Sequence, residues 1–239
     1  MAAKKTGEGA SSSKKTAKKP AAKRTKEPAT KSASAPPDAK KTSSSAGDVA
    51  AVVLSGEGDR SVGDLGEDLA SGKKSVAANA ARVLDEIVDR DPEAVVPIID
   101  KYVQVISKAD KRPAQSAAKA LPHMARIAPA RVARHLAKLK AGYDQATAPG
   151  KDGLVRTFAG LCTASVAYQK RLEDVLNKAL AEADPKTLIV WTETVLPALK
   201  GEPHARARAT VEARLGRIPK VHAQRIADFL GIKLRLRYR

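Results

Sequence analysis

Four histidines, His123, His135, His204 and His222, and one cysteine, Cys162, are the side chains of this chain best suited to metal or nucleophilic chemistry. Their spacing supports neither. A zinc site needs three or four ligands, commonly at short spacings, yet His123 and His135 stand on separate predicted helices with no HxxE or HExxH around them. A single cysteine excludes an intramolecular disulfide and a multi-cysteine metal site. Its surroundings, Leu161-Cys162-Thr163-Ala164, suit a buried structural thiol rather than a nucleophile. Asp85, Glu86, Asp89 and Asp91 fall off the apolar arc of their helix and read as a solvated face, not as an acid–base pair. Gly56, Gly58 and Gly63 do not form a phosphate loop: no strand precedes them, no Gly-Lys-Ser/Thr follows, and neighbouring acids repel phosphate. We therefore expect no catalytic, cofactor-binding or metal-binding residue, and a protein that is not an enzyme.

The side chains left with chemistry to do are cations. The formal net charge is +18, and it is unevenly placed. Residues 1–48 hold 12 basic and 4 acidic side chains, residues 49–110 hold 7 and 12, and residues 111–239 hold 25 and 10. The first 48 residues contain no Trp, Tyr, Phe, Leu or Ile, so they cannot bury enough apolar surface to offset their backbone entropy and are expected to be disordered. Lys14, Lys15, Lys18, Lys19, Lys23, Arg24 and Lys26 are the tail's candidate contacts to nucleic-acid phosphates. The text from Lys14 to Arg24, with Lys-Lys pairs separated by Ala and Pro, resembles linker-histone tails and bacterial linker-histone-like proteins. That resemblance implies sequence-blind neutralisation of DNA.

Beyond the tail the pattern implies helices. Aromatics make up only 3% of the chain while Ala, Val and Leu dominate, which disfavours a sandwich or barrel. Residues 49–72 are acidic and Gly-rich and read as a linker with a short helix around Val62–Leu69. From residue 73 apolar side chains recur at helical spacing, beginning with Val76, Ala80, Val83, Leu84, Ile87 and Val88 on one arc. The text then repeats. Leu84, Leu121, Leu161 and Val211 are anchors of four copies, each followed fifteen residues later by Ile99, Leu136, Leu176 and Ile226. Pro92, Pro129 and Pro219 stand eight residues after three of these anchors, and Gln169 takes that place in the other copy. An additional helix at about 185–199 lengthens the last interval.

Helix, turn, Pro and second helix at a period near 40 residues resemble HEAT repeats, an armadillo-type family. VAANAARVLDEI in particular is similar to that family's second helix, with Asn79 near its start. The resemblance covers about residues 70–230 and implies a right-handed α-α solenoid of about four to five hairpins. The expected organisation is a disordered basic tail (1–48), an acidic linker (49–72), an all-α HEAT-like repeat domain (73–232) and a basic C-terminal end (233–239).

On a helical wheel, a predicted helix over 129–143 carries Arg131, Arg134 and Lys138 beside, but apart from, its apolar stripe. A predicted helix over 204–218 does the same with Arg206, Arg214 and Arg217. Arginines on one face suit bidentate contacts to phosphate or carboxylate. The expected function is non-enzymatic binding of nucleic acid, DNA rather than RNA, without sequence specificity, because recognition motifs and stacking aromatics are lacking. The same Arg-rich faces also suit an acidic protein partner; the alternative function is a protein–protein interaction scaffold, with the tail as a solubility or localisation arm. A HEAT-like DNA glycosylase is a distant third, since such enzymes surround an extruded base with tryptophans and this chain has only Trp191. No membrane span or signal segment is expected, which points to the cytoplasm or nucleoid, or the nucleus in a eukaryote.

Overall fold

The computed structural model describes residues 45–108 and 110–234, all within one compact unit running from Ser43 to Arg239. The tail cations from Lys14 to Lys26, and Arg235, Arg237 and Arg239, lie outside the described residues. Among the described residues there are twelve α-helices, three 3₁₀ turns and no strand. The helices are α1 (Ala46–Ser55), α2 (Val62–Ala70), α3 (Lys74–Arg90), α4 (Ile99–Val105), α5 (Lys111–Ile127), α6 (Pro129–Ala133), α7 (Leu136–Gly142), α8 (Ala148–Ala164), α9 (Val166–Glu182), α10 (Pro185–Val195), α11 (Gly201–Arg214) and α12 (Lys220–Leu230).

The expected linker at 49–72 is largely α1 and α2. Each starts with a reciprocal cap. Asp48 N–H donates to Ser45 Oγ while Ser45 N–H donates to the Asp48 carboxylate, and Ser61 and Asp64 do the same. These caps satisfy amides that a helix start leaves without partners. Leu65 and Leu69, one turn apart, are fully buried. Gly66 lies between them, where a Cβ would fall 2.9 Å from Ile98 Cγ2. The acids of this segment face water while its leucines complete the core, so the segment is not a free acidic arm.

The apolar interior forms one continuous core from Ala50 to Leu230. All eight repeat anchors, Leu84, Ile99, Leu121, Leu136, Leu161, Leu176, Val211 and Ile226, are buried. Consecutive contacts link α1 to α3, α3 to α5, α5 to α8, α8 to α10 and α10 to α12, while α2 packs on α4 and α9 on α11. Helix α4 also packs on α5, and α8 on α9. Polar ties reach from one helix to its successor. Ser116 Oγ donates to the Ala81 carbonyl, Lys119 Nζ to the Asp85 carbonyl at 3.2 Å, and Lys140 Nζ to the Arg171 carbonyl at 2.8 Å. Asp85 and Asp89, expected to be purely solvated, pair with Arg112 and Lys119 of α5.

The most extensive helix contact is between α5 and α8, and small residues permit it. A Cβ on Gly153 would lie 2.4 Å from Ala118 Cα and 2.7 Å from its carbonyl oxygen. Pro122, inside α5, has no N–H to offer that carbonyl four residues back. One register step on, Gly160 meets Ala125. Both contacts advance by seven residues in the same direction, so the two helices run parallel.

Candidate polyanion interface

The helix expected over 129–143 is two helices. His135 N–H donates to the Val132 carbonyl at 3.0 Å, an i to i+3 turn that ends α6 and starts α7. His135 Nε2 also lies 3.1 Å from Asp100 on α4. The break removes the single wheel on which Arg131, Arg134 and Lys138 were aligned. All three are exposed, Arg131 on α6, Arg134 at its end and Lys138 on α7.

The expected helix over 204–218 is α11 followed by a 3₁₀ turn, Leu215–Arg217. Three of its arginines are engaged within the fold. Arg206 pairs with Glu173 of α9 at 3.1 Å and with Glu202 at 3.4 Å. Arg214, half-buried, donates from Nη1 to the Leu180 carbonyl at 2.8 Å. That carbonyl belongs to the last turn of α9, where intrahelical donors run out. Arg208 does a similar job for α12, donating to the Leu230 carbonyl at 3.1 Å while holding Glu212. Arg217 is exposed on the following turn. Much of the basic charge beyond residue 110 therefore ties helices together.

A different set of cations converges. A groove of about 500 Å³ follows the α5–α8 seam and reaches Thr194 of α10. Gln115, Lys119, His123 and Arg126 line its α5 wall and Arg156 its α8 wall, with Asp152 as its one acid. Asp152 is already shared by Arg156 at 2.8 Å and Trp191 Nε1 at 2.8 Å, so Arg126 and His123 face no uncompensated carboxylate of the groove lining. None of the six helix-face arginines and lysines singled out from the sequence lines it. A signal was present: Arg112, Lys119 and Arg126 recur every seven residues, which keeps them within about 20° per step on one helix face. A second basic groove, of about 530 Å³, between α7 and α9 is lined by Lys140, Lys170 and Arg171 beside Asp174.

Trp191, 4% exposed, is a core side chain anchored by Asp152. Burial pushes the Cys162 thiol up to about 12, leaving no thiolate at neutral pH. Among the described residues no group of three or more His, Cys, Asp or Glu side chains is placed to hold a metal ion, and no helix is long and apolar enough to cross a membrane. Comparison with protein-family models, curated proteins and solved structures returns no match.

Proposed function

We propose that this chain is a non-enzymatic binder of nucleic-acid phosphates, DNA rather than RNA, built as a HEAT-like stack with a basic N-terminal tail. The observation that carries the binding reading is the convergence of Arg126 and His123 on one groove, flanked by Lys119 and Arg156, which are held by Asp89 and Asp152 and leave the groove lining no uncompensated acid. The groove offers charge and hydrogen-bond donors without an aromatic platform, which suits a phosphate backbone rather than base edges. The tail cations Lys14, Lys15, Lys18, Lys19, Lys23, Arg24 and Lys26 add sequence-blind attraction. Supporting the stack are the eight buried anchors and the ties that join successive helices at offsets of 31 to 35 residues. Arg131, Arg134, Lys138 and Arg217 are exposed and available as a secondary contact set.

Fluorescence anisotropy with a labelled duplex across a salt series tests this reading. If about six to eight phosphates are engaged, log affinity falls with log salt at a slope of about −5 to −7. Arg126→Glu with Arg156→Glu lowers affinity at low salt, and replacing the seven tail cations by Gln flattens the slope. Duplex affinity unchanged by both sets of substitutions would refute the proposal.

A further inference from the structure

The described fold begins and ends on helices with exposed apolar side chains. Six large apolar side chains are exposed among the described residues, and three of them, Val52, Val221 and Phe229, sit on the first and last helices. Val52 stands with Val49, Val53 and Gly58 around a groove of about 280 Å³ at the α1 end. Asp48 and Asp59 stand on that groove's rim, and its one cation, Arg60, is held by Asp68. On α12, Val221 is 80% exposed and Phe229 44%. They are eight positions apart, within about 80° of each other on the helix and about 12 Å apart along it.

The two ends carry opposite charge. Residues 45–72 hold six acids and one base, and residues 217–234 hold four bases and one acid, with Arg225 among the bases held by Glu193 of α10. We propose that a second copy of this chain docks head to tail, the Val221–Phe229 face of α12 covering the Val49–Val52 groove of the next copy. The charge argues for this pairing over a symmetric one, because α12 against α12 would bring like charges together. The first 44 residues contain no Val, Leu, Ile, Phe, Tyr or Trp and offer nothing of matching size to a valine-lined groove. Because the joining surfaces differ, the contact is heterologous and does not close at two copies. It is independent of the polyanion reading and is tested without nucleic acid.

Sedimentation velocity of the full, nucleic-acid-free chain at low salt decides it. The weight-average mass climbs with concentration beyond twice the 25.2 kDa of one chain, and falls back as salt is raised. Val221→Glu alone and Val52→Glu alone each return the chain to one copy, with unchanged helical circular dichroism. Asp59→Lys, at an exposed position on the groove rim, weakens association in the same way. An equimolar mixture of Val52→Glu and Val221→Glu chains pairs one intact α12 with one intact groove and stops at dimers. A chain that stays single at every concentration overturns the proposal. So does a Val52→Glu variant that still dimerises, or a mixture that stays single.

Discussion

The side-chain carbonyl of Gln169 accepts the backbone N–H of Lys200 at 3.0 Å, across 31 residues of chain. Its amide nitrogen donates to the carbonyls of Cys162 at 3.0 Å and Ala198 at 3.2 Å. One buried side chain thus satisfies the end of α8 and the turn between α10 and α11. Gln169 occupies the repeat position that proline holds in the other copies, and here a polar clasp joins the turns. Gln169→Leu leaves two buried carbonyls and one N–H unpaired, and costs about 2 kcal/mol or more. Urea denaturation measures it.

Gly153→Ala drives a methyl group into the Ala118 backbone. The helices must separate along their whole seam, at a cost of about 1–3 kcal/mol. Gly216→Ala, where a Cβ meets nothing within 4 Å, changes stability by less than about 0.5 kcal/mol. Thermal melts of the two variants give the contrast.

Arg214→Ala removes the donor to the Leu180 carbonyl and lowers stability by about 1–2 kcal/mol. Arg131→Ala, at an exposed position, leaves the melt unchanged. Chemical denaturation of both variants separates arginines that hold the fold from those open to a ligand, and shows which charge reversals report on binding alone.

Hydrogen bonds from Ser45 and Ser61 hold the Asp48 and Asp64 carboxyls below their ordinary value of 3.8, and the Thr187 hydroxyl, with the amides of Thr187 and Lys186, does the same for Asp184. A carboxyl lowered on folding contributes stability that is whole above its unfolded value and is lost as pH falls through its folded value. Acid titration therefore weakens the caps of α1, α2 and α10 below the ordinary carboxylate range. The combined Asp48→Asn and Asp64→Asn variant loses less stability between neutral pH and acid than the parent, read by denaturation at a series of pH values.

Cys162 is 1% exposed and its thiol titrates at about 12. In the folded chain it resists alkylation by iodoacetamide at mildly alkaline pH, and denaturant exposes it. Mass spectrometry of quenched samples reads both states.

Residue types and their spacing were enough to reveal an all-α chain, the helix at 74–90, the eight anchors of the core and the structural role of Cys162. Each rests on periodicity or local composition, which act within a few turns of helix. The short helix expected around Val62–Leu69 is α2, whereas α1 was also written in the chain, in its Ser45-x-x-Asp48 cap, but the glycine and acid content around it masked it as linker. What only tertiary structure decided is which cations are spent and which are offered. A helical wheel places Arg206 and Arg214 on a surface, but it cannot contain Glu173 or the Leu180 carbonyl, which arrive from α9 more than thirty residues away. Nor can it join Arg126 to Arg156, which line one groove from two helices that meet closely at Gly153 and Ala118. Charge is a property of residues, whereas its availability depends on neighbours that long-range packing brings.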